Sequence, residues 1–394
     1  MTELTCVVIG AGYAGIHAVH EIRKAFKGDG GQRKLRLVLI DRNPYHLRKV
    51  LLFRPAAGGE EIKVPLSKLF PDGVELLQAA VTKIEPGLQR LQLEDEHGLK
   101  RELSYDLLVV AAGSTVRRPV PEQGGIALTD VPAAVAIREA WRANLKQALL
   151  VPDTEERRRL LTIAVAGAGI SGIETSAEIA YYARRDALEL GIRLEEVQIR
   201  LINANQRLFP EGPAKVGHKL EEKLRESGIV VMHDCKVVKE KDGVVTLSDG
   251  TTVPAGMCVW TLGLMPNPAL QELGLPLSSK GYVLTDASYR VQGMKGVYSI
   301  GDCARIVDPA SGRADGKTCK EALAQAGRLA KIVLADLSGV PAPAHKGYME
   351  FFCFGLGPQR GMAWTRKWGV DFMITGKLGW KLREYTWDMA SELK

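Results

Sequence analysis

The 394-residue chain has no Cys-x-x-Cys pair: its six cysteines, Cys6, Cys235, Cys258, Cys303, Cys319 and Cys353, are scattered. That scatter excludes a disulfide framework, a zinc site of ordinary ligand spacing, and a redox dithiol built from neighbouring cysteines. No metal site is expected, and most of these thiols read as reduced and buried. Long apolar runs are missing too, since none reaches the ~18–20 residues that span a bilayer. The amino terminus lacks the basic, apolar, small-residue order of a secretory leader, so a cytoplasmic setting is expected. Charge of one sign is not in large excess: 53 basic residues face 46 acidic ones, a net charge of +7. Such a balance permits contact with anionic lipid or nucleic acid and establishes neither. No nucleic-acid motif is present, so no nucleic-acid partner is expected.

What is present begins almost at once. Cys6-Val7-Val8-Ile9 runs into Gly10-Ala11-Gly12-Tyr13-Ala14-Gly15, and Ile16, Val19 and Ile22 then recur at helical spacing. The pattern predicts a buried strand, a tight turn and a helix start. One glycine makes the turn, one lets backbone approach a pyrophosphate, and one lets helix pack on strand. The helix start offers free N–H groups and a positive dipole end to phosphate. A second strand, Leu35 to Ile40, ends at Asp41, an acid placed to accept hydrogen bonds from ribose hydroxyls.

Further on, Glu75–Val81, Leu88–Leu93 and Tyr105–Val110 read as a small antiparallel meander, with Pro86-Gly87 and His97-Gly98 as turns. It ends in Ala111-Ala112-Gly113-Ser114, small residues that admit a ligand close to the backbone. Residues 130–160 are helical in pattern and densely charged near Glu155–Arg159, a solvated connection. Then the opening repeats. Leu161–Ala166 runs into Gly167-Ala168-Gly169-Ile170-Ser171-Gly172, and the next strand, Val197–Ile202, ends not in an acid but at Asn203. A second meander, Cys235 to Val253, turns at Asp242-Gly243 and Asp249-Gly250, and Met257–Gly263 closes the unit. A third segment, Gly296–Ala304, is a strand feeding Gly301-Asp302, followed by a helix over about Lys320 to Leu337.

In this order the pieces resemble the two-dinucleotide-binding-domain pyridine nucleotide:FAD oxidoreductases, nearest to type II NADH dehydrogenases and apoptosis-inducing-factor-like flavoproteins. The resemblance implies an α/β chain with two Rossmann-like domains, each carrying a small meander, and a C-terminal α+β tail. Residues 1–120 and 285–337 would form an FAD domain, 121–284 an inserted NAD(P)H domain, and 338–394 the tail. It further implies FAD on Gly10, Gly12 and Gly15, with Asp41 on its ribose and Gly301-Asp302 beside its ribityl and phosphates. Tyr13, Ala14, Arg42, Lys49, Val81, Ala112 and Gly113 would complete that site. NAD(P)H would lie on Gly167, Gly169, Ile170, Ser171 and Gly172, with Asn203 and Gly263. Glu174 resembles the family acid near the nicotinamide. The activity implied is hydride transfer from nicotinamide to flavin, then electrons to an acceptor, a quinone in the nearest members.

Three departures from the family pattern stand out. Asn203 replaces an acid, removing the charge that repels a 2′-phosphate, so NADPH use with Arg207 as phosphate partner is open. Lys320 replaces a glutamine in the stretch that quinone-reducing members carry after Gly-Asp; it could act at the flavin or lie on the helix surface. Paired flavin-flanking cysteines, as in sulfide:quinone reductases, are not in evidence: Cys353 lacks a counterpart in the second domain's entry strand. A biosynthetic flavoenzyme and a flavin-binding interaction protein remain as alternatives.

The tail holds four of the six tryptophans, Trp364, Trp368, Trp380 and Trp387, amid Arg360, Arg366, Lys367, Lys377, Lys381 and Arg383. Indole and basic side chains together suit a bilayer interface, here the inner face of the plasma membrane. A packed subdomain or homodimer face accounts for them equally. Gly369, Gly376 and Gly379 argue against a long amphipathic helix there.

Overall fold

In the computed structural model, which describes residues 3–28 and 33–393, the first apolar run forms strand β1 (Glu3–Ile9). Cys6, Val7 and Val8 are fully buried, so both faces of the strand are covered, as in the centre of a parallel sheet. β2 (Lys34–Asp41) and, beyond it, β3 (Glu75–Gln78) lie on one side of β1. β4 (Leu107–Val110) and the short strand Val297–Ser299 lie on the other, and every pairing is parallel. Helix α1 (Tyr13–Gly28) buries Ile16, Val19 and Ile22 against this sheet. A short helix, α2 (Phe53–Ala57), follows the second strand.

The second sheet repeats the first. β5 (Thr162–Ala166) is flanked by β6 (Gln198–Ile202) and β7 (Ile229–Met232) on one side, and by β8 (Met257–Trp260) and the edge strand Ile126–Ala127 on the other. Helix α3 (Ile170–Glu189) takes the place that α1 has in the first sheet. The fold is α/β, with two doubly wound parallel sheets in one chain.

The first meander differs from its expected form. Glu75–Gln78 and Leu107–Val110 belong to the parallel sheet, and the meander is Ala80–Glu85, Arg90–Glu94 and Lys100–Ser104. Leu107–Val110 is buried on both faces, which an open three-stranded ribbon cannot supply. Lys100–Ser104 is almost wholly exposed and polar, so it carried no hydrophobic signal. The second meander, Val237–Lys241, Val244–Leu247 and Thr252–Pro254, lies where its turns placed it.

After Gly301-Asp302 comes helix α4 (Cys319–Ser338), opened by a reciprocal cap in which the Thr318 hydroxyl and the Glu321 carboxylate each accept the other's backbone N–H. The tail then forms an antiparallel sheet, β9 (Phe351–Gly355), β10 (Gly361–Lys367) and β11 (Val370–Thr375), and a 15-residue helix, α5 (Gly376–Ala390). That helix corrects the glycine argument. A Cβ on Gly379 would stand 2.4 Å from the Gly361 carbonyl oxygen, so this glycine is there for close packing of helix on sheet. Along β9, Phe352 and Phe354 face Phe209, at 4.9 and 5.3 Å between ring centroids, and Trp364 stands 5.6 Å from the same ring. The tail thereby shares a core with the second sheet.

Candidate functional site: two glycine cradles and the tail between them

The first cradle is built by contact. Gly10 sits at φ +99°, and a Cβ there would meet the Ala111 carbonyl oxygen at 2.4 Å; one on Gly15 would meet the Gly10 carbonyl oxygen at 1.7 Å. Only glycine fits either place. Gly12, in contrast, has no atom within 4 Å of its Cβ direction, the open side that a pyrophosphate needs. Asp41, at the exit of β2, accepts from Ala11 N (2.7 Å) and Asn43 N (2.8 Å). Its carboxylate is thus held at the edge of the turn. Tyr13 stands edge-on to His46, 4.9 Å between ring centroids. His46 is fully buried and its Nδ1 donates to the Ala11 carbonyl (2.8 Å). Burial pushes its pKa down to about 4, so the ring is neutral. No partner reaches its Nε2 among the described residues.

Distant residues close on this turn. A Cβ on Gly301 would lie 2.6 Å from the Ala14 methyl, which seats the Gly301-Asp302 bend against the start of α1. Asp302 accepts from the Ser114 hydroxyl (2.7 Å), and Lys49 Nζ donates to the Ser114 carbonyl (2.7 Å). Burial raises the Asp302 carboxyl and lowers the Lys49 ammonium, each opposed by the other's charge. Gln325, from α4, accepts from Gly301 N (2.7 Å). Gly113, at φ +65°, leaves open space beside them. Ala112 is half-buried and accepts from the Asn267 side chain (3.1 Å). Val81 is half-buried on the meander strand that starts next to β3, and Arg42 is exposed beyond Asp41. These groups line the carboxyl edge of the first sheet, where open α/β sheets bind ligands.

The second cradle copies the first. Gly167 sits at φ +107° with a Cβ direction 2.6 Å from the Thr261 carbonyl oxygen; Gly172 would meet the Gly167 oxygen at 1.8 Å, while Gly169 and Gly263 face open space. Ile170 and Ser171 begin α3. Asn203 is buried, and its amide is turned into its own loop. Its Nδ2 donates to the Asn205 carbonyl (2.8 Å) and to His233 Nδ1 (2.8 Å), and its Oδ1 accepts from Asn205 N (3.3 Å). The strand exit therefore carries no negative charge of its own. Arg207 departs from its expected place: its guanidinium donates to the Phe209, Pro210 and Gly212 carbonyls. Those bonds hold the loop and withdraw Arg207 from phosphate binding.

Between the cradles the tail supplies what local sequence did not announce. Glu174, one turn into α3, accepts from Arg383 Nε (2.8 Å) and Nη2 (3.0 Å) and from Gly355 N (2.7 Å). Arg383 lies on α5, 209 residues away, beyond the reach of any sequence window. Its guanidinium also stands 4.8 Å from the Trp387 ring centroid. Lys320, second in α4, is half-buried; its Nζ donates to the Phe351 carbonyl and lies 4.4 Å from the Phe351 ring centroid. Burial lowers its pKa. Lys320 is a packed residue and not a free surface lysine.

Residues 4–326 match the model of a family described as pyridine nucleotide-disulphide oxidoreductase. An external alternative NAD(P)H-ubiquinone oxidoreductase B3 from Arabidopsis thaliana is 28% identical over 250 residues, 59% of this chain and 43% of that protein. A probable NADH dehydrogenase from Dictyostelium discoideum is 30% identical over 58% of this chain and 53% of its own length. The chain thus spans about half the length of these relatives. A type II NADH:quinone oxidoreductase from Staphylococcus aureus is 26% identical over 346 residues, 84% of this chain and 82% of that protein. Among solved structures, NDH2 from Plasmodium falciparum in complex with NADH shares the fold over 100% of this chain and 97% of that one, with a TM-score of 0.81 and 16% identity. With a glycine cradle at the head of each of two parallel sheets and a family match over residues 4–326, the chain belongs to the pyridine nucleotide-disulphide oxidoreductase family.

Proposed function

We propose that the chain is an FAD-dependent NAD(P)H oxidoreductase that passes electrons to a quinone. The observation that carries this reading is the pair of matching cradles, one of which draws Lys49, Ser114, Gly301 and Asp302 together at its open side. Gly10, Gly12 and Gly15 hold the flavin pyrophosphate and Asp41 its ribose, while Asp302 and Lys49 face the ribityl chain. Gly167, Gly169 and Gly172 hold the nicotinamide dinucleotide. Residues 1–120 and 285–337 act as the flavin domain, and 121–284 as the nicotinamide domain. When bound, the flavin supplies the two-electron chemistry between nicotinamide and acceptor. This chain's residues position it: Glu174 and Arg383 fix the tail against α3, and Lys320 sets a cation at the start of α4. The similarity to NAD(P)H-ubiquinone and NADH:quinone oxidoreductases supports a quinone acceptor.

With no acid at Asn203 and Arg207 engaged elsewhere, neither dinucleotide is favoured by charge, and both NADH and NADPH are accepted at rates within about ten-fold of each other. Among the described residues no helix is long and apolar enough to cross a membrane; contact with the lipid surface is peripheral, through the tail. Anaerobic addition of NADH or NADPH to the yellow protein should bleach it, and a short-chain quinone should restore the colour within a turnover. Bleaching that is absent or slow with both nucleotides would sink the enzyme reading. Fast bleaching with no quinone response would sink the acceptor.

A further inference from the structure

The two repeated units carry unlike residues at one matching position. After Gly10-x-Gly12-x-x-Gly15 the second residue is His17; after Gly167-x-Gly169-x-x-Gly172 it is Glu174. One helix of the tail holds both. Glu174, on α3, accepts from the Arg383 guanidinium of α5. His17, on α1, donates through Nε2 to the carbonyl of Ala390 (2.9 Å), the last residue of that same helix.

Each grip suits the end of α5 that it uses. The Ala390 carbonyl is among the last four of the helix, which no intrahelical N–H reaches, and a ring N–H from α1 satisfies it. A Glu392 oxygen lies 3.2 Å from the other ring nitrogen. Arg48, the residue before Lys49, joins at the same end: its Nη2 donates to Asp388 (2.7 Å) and its Nε to the Ser391 hydroxyl (3.1 Å). The negative end of the helix dipole favours a cation there. Arg383, Trp387 and Ala390 are all buried, at the spacing of one helix face. Two turns separate Arg383 from Ala390, so the grips stand about 10 Å apart along one rod. The short helix α2 also joins the halves, with Phe53 and Ala56 in the core of the second sheet. Apolar packing of that kind is non-directional, whereas directed bonds at two points of a helix set a length.

We propose that α5 is the spacer between the two cradles. By gripping α1 at His17 and α3 at Glu174, it fixes the start of the flavin helix against the start of the nicotinamide helix, and so the approach of the two rings. His17 and Arg383 are then positioning residues, acting through the helices they hold. The inference rests on the reading of the two cradles given above. Each cradle is complete within its own half, so a change in spacing should act on hydride transfer and leave the binding of either dinucleotide intact. A displacement of about 1 Å between reacting groups can cost about a hundred-fold in rate.

The test uses the flavin-loaded full chain. His17→Leu removes the donor and fills its place, while His17→Gln keeps an N–H at about the same reach. Glu384 is exposed on α5 between the two grips; Glu384→Pro kinks the rod there, and Glu384→Ala keeps it straight. In His17→Leu and Glu384→Pro the rate of anaerobic bleaching at saturating NADH or NADPH should fall at least about five-fold, with flavin and nucleotide dissociation constants within about three-fold of wild type. His17→Gln and Glu384→Ala should bleach at close to the wild-type rate. The long-wavelength charge-transfer absorbance of the dithionite-reduced protein with NAD+ reports ring-on-ring contact without turnover, and it should weaken in the same two variants. If His17→Leu, folded and yellow, loses less than that in rate, the spacer is overturned and the two-cradle reading stands. Loss of flavin, or weaker nucleotide binding that accounts for the whole effect, overturns it as well, because a cradle and not the spacing has then failed. Controls that fall as far as their partners also overturn it. A wild type that does not bleach with either nucleotide overturns both the spacer and the reading it rests on.

Discussion

At the scale of single residues, buried charge decides most. Glu174 and Arg383 are 2% and 8% exposed, joined by two hydrogen bonds, with a third to Gly355 N. Removing one member strands the other in a low-dielectric site. Arg383→Ala is therefore expected to cost about 3–5 kcal/mol in denaturant unfolding, and the double change Glu174→Gln with Arg383→Met to recover much of that. Additive losses would show the pair is not coupled. Glu178 gives a second expectation, with a definite sign. Its folded pKa is raised from 4.5 to about 7, so the folded state binds this proton more tightly than the unfolded chain does. Its contribution is fully present below about pH 4.5 and is lost as pH rises through about 7, by up to about 3 kcal/mol. Glu178→Gln should therefore flatten stability between about pH 5 and pH 8. A variant that keeps the wild-type slope would place the proton elsewhere.

At the scale of elements, the two strand–turn–helix units are one device used twice, and a methyl group can tell them apart. Gly15→Ala puts a Cβ 1.7 Å from the Gly10 carbonyl oxygen, and Gly172→Ala puts one 1.8 Å from the Gly167 oxygen. Neither helix can move away without leaving its sheet. Purified Gly15→Ala is expected colourless, whereas Gly172→Ala should stay yellow and no longer bleach with NADH or NADPH. Loss of colour in both would mean that the cradles fail together. These units were legible because turn chemistry is local: a run of Val and Ile, three glycines and a periodic helix fit within one short window. The parallel places of Glu75–Gln78 and Leu107–Val110 were not legible, because a short apolar strand looks alike in a ribbon and in a sheet centre. Polar Lys100–Ser104 hid the true third strand of the meander. Glycine misled in the tail, where Gly379 marks close packing inside a helix. The Glu174–Arg383 and Ser114–Asp302 contacts span 209 and 188 residues, and such partners exist only once the chain has folded.

At the scale of the whole molecule, the tail has two faces with opposite needs. Its inner face is core: Phe354, Trp364 and Trp387 are buried with Phe53, Trp141 and Phe209 in one cluster. That accounts for the aromatic richness that a packed subdomain predicts. Its outer face is not covered. Trp368 and Gly369, at φ +52° and +75°, form the tip of the β10–β11 hairpin, and the Trp368 side chain is 85% exposed. Val370 and Phe372 on β11 and Lys367 at the end of β10 are exposed on the same hairpin, and Lys377, Leu378 and Lys381 are exposed on α5, which begins at the other end of β11. An indole at a hairpin tip, with Lys367 Nζ 4.2 Å from its ring centroid, is suited to the headgroup layer, where each cation near an anionic surface adds about 1 kcal/mol. Flotation with vesicles containing anionic lipid should carry the protein upward, and neutral vesicles or added salt should release most of it. Trp368→Ser with Phe372→Ser should weaken binding to both vesicle types, because it removes the inserted apolar part. Lys377→Glu with Lys381→Glu should weaken only the anionic case. Since among the described residues no hydrogen bond or ion pair joins these side chains to either cradle, ferricyanide turnover should not follow the vesicle result. If the wild type stays in the soluble fraction with anionic vesicles at low salt, the exposed hairpin is not a lipid anchor; a concentration-dependent doubling of mass would then mark it as the face between two copies.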